Sequence, residues 1–325
     1  PLTNEVELQD ACKAHIDFNS AGHTWRIGIF GTSIPEYTAK VTPANSTLDT
    51  VTVVNPTTVS IVLAGSDFLI NGVVPGDFVK TIYAPGGGQD DVITYRLITA
   101  VISNNEIQAL GIPTDYTTVG TTWTVVKRNT SADNVANVVA NAGHFSSRRI
   151  YLVWPDVATS SDGEEVAGYY LAAAIAGLRS TSLPHQGLTN ITINGFLDVK
   201  RTTEAFTGSQ LNTMAEGGVW IVTKDIVTGE IYTRHQLSTD PTDLNTREQN
   251  ITTNVDDISY RIYNAAYKLV GVGNVTPTML RIINDTVNYV LTRLEGDVSN
   301  ERLGPQLLEG TIISIAVDTV CAAKV

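Results

Sequence analysis

Between about Thr47 and Lys127 helical periodicity vanishes from the chain, and short runs of alternating β-branched residues take its place. The runs cover 50–54, 58–63, 78–83, 92–102 and 122–126. Successive side chains point to opposite faces of a strand, so a run with every second residue apolar has one face to bury. A helix would scatter those same residues around its axis. The clusters Asn55-Pro56, Pro75-Gly76-Asp77 and Pro85-Gly86-Gly87-Gly88 separate the runs. Proline has no N–H for a ladder and glycine opens conformations closed to other residues, so these are turns. Short strands punctuated in this way predict a small β-barrel or sandwich.

On either side of that stretch, strands alternate with helices. Residues 25–30 (Trp-Arg-Ile-Gly-Ile-Phe) read as a buried strand ending in a turn at Gly31. Ser131 and Asp133 are candidate caps for a helix carrying Val135, Val138 and Val139 on one face. Arg149–Trp154 reads as a strand stopped by Pro155, and Ser161 with Glu164 as a capping box ahead of the Ala-rich stretch 165–178. Val219–Ile226 and Ile231–Leu237 make a hairpin through Thr228-Gly229.

Two strong helical patterns come next. The first is expected to start at Asn254, with Asp256 and Asp257 at the positive end of its dipole. Its apolar face is Ile258, Ile262, Ala265 and Leu269, and Gly271 and Gly273 end it. The second opens with Thr276 as cap and Pro277 in the first turn, and carries Leu280, Ile283, Val287, Val290, Leu291 and Leu294 as one stripe. Thr311–Thr319 reads as a last strand. The fold class expected is therefore α+β or α/β: a discontinuous core domain, 1–46 plus 128–325, interrupted by an inserted all-β domain, 47–127.

Charge narrows the choice of partners. Against 33 acidic residues there are 21 basic ones, a net charge of −12. Binding a phosphate backbone takes a basic footprint, so nucleic acid is excluded as a partner. Only 17% of residues are charged, which leaves Thr, Asn and Ser to supply the polar surface and suits subunits that bury broad polar faces against copies of themselves. Cys12 and Cys321 lie near opposite ends and are expected as free thiols in a reducing cytoplasm. No apolar run reaches the ~18–20 residues of a membrane span, so membrane insertion is not expected. No charged-then-apolar leader pattern opens the chain, and its start at Pro1 without Met leads us to expect a fragment.

Candidate chemistry is sparse. Gly28 and Gly31 follow a strand, but no third glycine completes a dinucleotide fingerprint, and Pro35 interrupts any helix there. Gly86–Gly88 runs into Gln89-Asp90-Asp91, whose carboxylates would repel phosphate, and no Gly-Lys-Ser or Gly-Lys-Thr occurs. The histidines, His15, His23, His144, His185 and His235, are scattered. Cys12 and His15 could share a helical face, but no second pair completes a tetrahedral site. Glu164-Glu165 and Asp256-Asp257 are explained by helix starts, and neither they nor Asp90-Asp91 form a calcium loop. No Gly-x-Ser-x-Gly elbow is present. Tyr83, Tyr95, Tyr116 and Trp123 could stack on sugars, though filling the core of the β domain is the simpler role. No catalytic, cofactor-binding or metal residue is assigned, no cofactor is expected, and the chain is not read as an enzyme.

A set of motifs in fixed order says more. Ala172-Ala-Ala-Ile-Ala-Gly-Leu178 follows the strand ending at Trp154-Pro155, and Leu188-Thr-Asn-Ile-Thr-Ile-Asn-Gly-Phe196 follows that. Then come Leu211-Asn-Thr-Met-Ala-Glu-Gly-Gly-Val219, Arg234-His-Gln-Leu-Ser-Thr-Asp240, Arg247-Glu-Gln-Asn-Ile251 with Asp256-Asp-Ile-Ser-Tyr-Arg261, and Gly271-Val-Gly-Asn-Val-Thr-Pro277 between the paired helices. From about Gly163 to Leu294 this order resembles the tail sheath family of contractile phage tails and related injection machines. Gly72–Val79, Tyr95–Val101 and Asn105–Leu110 are similar to small β-barrel modules of large-phage structural proteins.

The resemblance implies a structural subunit that polymerises helically with copies of itself around a tail tube and contracts by rigid-body rearrangement, driving the tube through the host envelope. It implies the tail tube, baseplate and tail terminator proteins as partners, a place in the virion tail after assembly in the host cytoplasm, and an outward-facing β insertion. Sheath subunits carry extended terminal arms, which this chain is expected to lack at one or both ends. The alternatives are another phage tail or baseplate structural protein, or a carbohydrate-binding or hydrolytic protein.

Overall fold

All five alternating runs form strands in the computed structural model, which describes residues 10–17, 27–32, 37–41, 50–63, 66–83, 92–111, 121–199, 206–269, 271–272, 276–296, 304–310 and 312. The strands are β3 (Thr50–Asn55), β4 (Thr58–Val62), β5 (Phe78–Tyr83), β6 (Val92–Ser103) and β8 (Thr121–Arg128). Two more, β2 (Tyr37–Val41) and β7 (Glu106–Leu110), complete an antiparallel seven-stranded sheet in the order β2-β8-β5-β6-β7-β4-β3. β2 lies in the 1–46 segment assigned above to the core domain, and it pairs along β8 from Tyr37↔Arg128 to Val41↔Val125.

β6 is the pivot of this sheet. Its first half pairs with β5 from Tyr83↔Val92 to Phe78↔Leu97, and its second half pairs with β7. Within the half paired with β7 the register shifts between Ile98 and Ala100 and again between Val101 and Ser103. A bulge bends and twists the strand that carries it, which lets one long strand serve both parts of the sheet. Alternate residues turn inward: Val59 and Ile61, Val79, Ile98, Ile107 and Ala109, Trp123 and Val125 pack together with Phe68 and Val73. Buried Asp77 accepts a hydrogen bond from the Lys40 ammonium at 2.7 Å and from the Val74 amide at 2.8 Å, tying β2 to the 73–77 turn.

The chain divides into two compact units, Ile34–Asn134 and Pro1–Ser33 with Val135–Val325. The second unit is mixed α/β. Its main sheet runs β1-β9-β13-β14, with β1 (Gly28–Gly31), β9 (Ile150–Trp154) and β13 (Val219–Lys224) parallel and β14 (Ile231–Thr233) antiparallel at the edge. Every residue of β9 is buried, as a central strand covered on both faces requires. A smaller antiparallel sheet places β10 (Val157–Ser160) between β11 (Glu165–Ala167) and β12 (Phe196–Asp198).

The helices are α1 (Ser131–Phe145), α2 (Tyr169–Thr181), α3 (Gly208–Glu216), α4 (Leu244–Arg247), α5 (Gln249–Tyr267) and α6 (Pro277–Glu295), with residues 10–17 also helical. Leu171 and Ile175 of α2 meet Tyr151, Val153, Trp220, Val222 and Ile231 of the main sheet in one apolar cluster.

Several local expectations are corrected. The strand at Gly28 includes Gly31, which is not a turn residue. A β-carbon there would fall 2.6 Å from the carbonyl carbon of Gly168, so only glycine lets the start of α2 lie against β1. Thr130, not Ser131, caps α1: its Oγ1 accepts from the Asp133 amide at 3.2 Å while Asp133 Oδ2 accepts from the Thr130 amide at 2.8 Å.

Ser161 and Glu164 form no capping box. They flank the turn at Gly163 (φ +86°), and the Ser160 amide donates to the Glu164 carbonyl at 2.8 Å, so the acidic pair Glu164-Glu165 leads into β11. α2 starts only after Gly168. Asn254, Asp256 and Asp257 lie inside α5, whose cap position is Glu248. Thr276 and Pro277 open α6 as expected, with Thr276 Oγ1 accepting from the Met279 amide at 3.2 Å. The expected Thr311–Thr319 strand lies outside the described residues apart from Ile312, and Trp25, Arg26, Gly273 and Cys321 also lie outside them.

Candidate functional site

Three of the ordered motifs fold onto one another in the α/β unit. Past β14 the chain returns to the start of β9, where the Thr239 amide donates to the Ile150 carbonyl at 2.9 Å. The Arg247 segment lies alongside, with Ser238 N to Arg247 O at 2.8 Å and Gln249 N to Gln236 O at 3.1 Å. The short strand-like ladder leaves polar side chains in the interior: Gln236, Ser238, Thr239, Gln249 and Thr252 are all buried.

A buried polar group costs free energy unless it is paired, and most of these have partners. Gln236 Oε1 accepts from the Leu188 amide at 2.6 Å. Thr239 Oγ1 donates to the Ser147 carbonyl at 3.0 Å and accepts from the Ser147 amide at 3.1 Å. Ser238 Oγ donates to the Thr246 carbonyl at 2.8 Å, and Thr233 Oγ1 donates to the Leu188 carbonyl.

Two buried arginines complete the network. Arg179, at the end of α2, donates to the Gln186 carbonyl at 2.8 Å and to the Ser182 and Leu183 carbonyls. Burial among these neutral groups pulls its pKa below the usual arginine value. Arg149 instead meets a carboxylate, Asp256 of α5, and that hydrogen-bonded partner raises its pKa. Arg179 thus closes a loop and Arg149 fastens a helix.

Beside this network lies a shallow cavity of about 280 Å³, with Asn212 and Glu216 of α3 facing Arg234, His235 and Arg247. Each of its three basic side chains lies against a polar or acidic neighbour. His235 Nε2 lies 2.7 Å from Glu248 Oε1, Arg247 Nε lies 3.7 Å from the same oxygen, and Arg234 Nη2 donates to Asn212 Oδ1 at 3.0 Å. The lining residues include no serine, threonine or cysteine, so the cavity brings no hydroxyl or thiol nucleophile to His235.

The residues weighed from sequence are not brought together. Cys12 and His15 lie on helix 10–17, and among the described residues no cluster of three or more His, Cys, Asp or Glu could hold a metal. His144 meets Asp10 at 3.0 Å, far in the chain from His185 and His235. Gly86–Gly88, Asp90-Asp91, His23 and Tyr116 lie outside the described residues.

Trp123 fills the β core, and Tyr83 is half-buried. Tyr95 is exposed and stacks on Tyr37 at 4.1 Å, and Tyr37 meets the edge of Phe78 at 5.6 Å. Sequence reasoning passed over Arg149 because Asp256 lies 107 positions away, and over Gln249 because Arg179 lies 70 positions away. It passed over Arg179 because the groups that hold it nearby are main-chain carbonyls, which no residue pattern marks. Among the described residues no helix is long and apolar enough to cross a membrane.

Comparison with known proteins follows the same direction as the motifs. No family model matches the chain. Over 157 residues it is 31% identical to the tail sheath protein of Mycobacterium phage Bxz1, a match covering 45% of this chain and 26% of that protein. The chain thus spans about a quarter of that relative's length. The expected likeness to tail sheath proteins is borne out by this match.

Among solved structures, the sheath tail protein of Listeria innocua is 13% identical, with 75% of this chain and 70% of that one covered and a TM-score of 0.40. The sheath tail protein of Desulfitobacterium hafniense is 11% identical, with 76% and 71% covered and a TM-score of 0.41. The contracted helical sheath of the anti-feeding prophage is 13% identical, with 46% and 41% covered and a TM-score of 0.38.

Proposed function

We propose that the chain is a structural subunit of a contractile tail sheath and does no catalysis. The reading rests on one observation, the 31% identity over 157 residues to a phage tail sheath protein. The motifs that carry the resemblance also fold into a polar network whose groups mostly pair with each other, which suits a rigid building block.

On this reading, copies assemble helically around a tail tube, with the baseplate and tail terminator proteins at the two ends. The insertion expected at 47–127, which falls within the compact unit Ile34–Asn134, faces outward on this reading. Contacts between unlike faces of identical subunits build open helices when their rotation does not close a ring. Contraction is a rigid-body change from one packing to another. A difference of about 1–3 kcal/mol per subunit, repeated along the lattice, drives it without nucleotide or metal. The net charge of −12 opposes association between copies, and salt screens that repulsion.

Negative-stain electron microscopy of the chain, alone and with preformed tail tubes, tests the reading across salt concentration and pH. Regular tubes, favoured by salt, are the expected result. Dispersed particles under every condition would remove the sheath assignment.

A further inference from the structure

The β13–β14 hairpin ends in two apolar residues held out into solvent: Ile226 is 90% exposed and Val227 93%. The turn that carries them is well fixed. Asp225 Oδ1 accepts from the Val227 amide at 2.7 Å and the Thr228 amide at 3.2 Å, and the Asp225 amide donates to the Glu230 carbonyl at 2.8 Å. Gly229 supplies the positive φ of +74° that closes the turn. Docking such a tip costs little ordering entropy because its backbone is already set. Its shoulders, Asp225 and Glu230, are acidic.

A surface of matching chemistry occurs on α5. Tyr260, Tyr263 and Tyr267 follow one another at helical spacing on one face, and they are 51%, 39% and 61% exposed. The rings of Tyr263 and Tyr267 lie 5.6 Å apart. At about 1.5 Å per residue the row is roughly 10 Å long, enough to receive two adjacent side chains. Arg261 and Lys268 lie along one side of it, and Arg261 is also paired with Asp257 at 2.7 Å. Tyrosine offers an apolar ring with a polar tip and gives up little side-chain entropy on contact.

We infer that the Ile226-Val227 tip of one copy docks on the Tyr260–Tyr263–Tyr267 row of the next, with Asp225 and Glu230 set against Arg261 and Lys268. Both surfaces are exposed within a single chain, so neither covers the other. The tip and the row are unlike surfaces, so each copy offers one of each and the contact runs head to tail from copy to copy, as an open helix requires. This inference rests on the self-assembly proposed above and names a contact through which it occurs.

Sedimentation velocity over a concentration series tests it with the intact chain, with I226S/V227S and with Y263S/Y267S. All four positions are exposed, so thermal melts of both variants should match the parent. The parent should associate, and each variant should associate on the order of tenfold more weakly, as expected for loss of an apolar anchor. A one-to-one mixture of the variants should stop at dimers, because it keeps one sound tip and one sound row per pair.

If both variants associate like the parent, this contact is overturned while the sheath reading stands. If only one variant weakens, the pairing of these two surfaces is overturned. A parent that stays monomeric throughout overturns the contact and the self-assembly together.

Discussion

Arg149 holds Asp256 through two parallel hydrogen bonds, Nη1 to Oδ2 at 2.5 Å and Nη2 to Oδ1 at 2.7 Å. The pair joins the residue before β9 to the middle of α5, 107 positions away, with both side chains largely withdrawn from water. Removing one partner of a buried ion pair leaves the other charge stranded, at a cost of about 3–5 kcal/mol. R149M and D256L should each destabilise the α/β unit by that order in urea unfolding. The double variant should recover much of the loss, because an apolar pair of similar volume strands no charge. Additive losses in the double variant would show that the two side chains stabilise the fold independently.

Tyr151 predicts a signature at alkaline pH. Its hydroxyl is buried and donates to the Arg148 carbonyl at 2.7 Å, and burial pushes its pKa well above the usual phenol range. A pKa raised on folding contributes stability that is present in full below the unfolded pKa of about 10 and is lost as pH rises toward the folded value. At neutral pH, Y151F should be about 1 kcal/mol less stable, for one lost hydrogen bond. Above about pH 10 the gap should narrow, because only the parent can lose that proton on unfolding. Chemical denaturation at neutral and alkaline pH measures both values.

Much of the fold was legible because its signals are local. The alternation at 78–83 became β5 with the same limits, and Thr276-Pro277 opened α6, since a strand face and a helix cap are decided by neighbours in sequence. Errors arose where distant partners took over. Asn254, Asp256 and Asp257 look like a helix start, but Arg149 claims Asp256, while Arg261 and Gln306 claim Asp257. The stretch 165–178 looks helical throughout, but Glu165–Ala167 pairs with β10. At the candidate site the motif Arg234–Asp240 was visible. That its Gln236, Ser238 and Thr239 are buried, paired with Leu188, Thr246 and Ser147, depends on a fold no window of sequence contains.

Gly31 offers a sharper packing test. Its missing side chain lets the backbone of Gly168 and Tyr169 lie directly on β1. The groups a methyl would strike are main-chain atoms, which cannot swing aside as a flexible side chain can. G31A should therefore destabilise the α/β unit by about 1–3 kcal/mol, the usual range for overpacking. G177A is the control: nothing lies within 4 Å of a β-carbon there, and alanine is the better helix former by roughly 1 kcal/mol. Opposite shifts in thermal midpoint are expected for the two variants.

The Ile34–Asn134 unit should fold when produced alone. Every member of its apolar cluster, from Val41 to Val125, comes from within those limits, and its buried Asp77 is neutralised by its own Lys40. About 100 residues is an ordinary size for an independent domain. Circular dichroism should show a β-rich spectrum that is lost in one cooperative transition. Within the isolated unit, W123A should cost about 3–5 kcal/mol, because the ring is buried among Val59, Ile98 and their neighbours. Y95A, at an exposed ring stacked on Tyr37, should cost no more than about 1.5 kcal/mol, the scale of an aromatic pair. If both losses were small, Trp123 would not be the core residue its burial implies. If the isolated unit stayed unfolded, the insertion would depend on the rest of the chain, and the outward-facing domain proposed above would have to be abandoned.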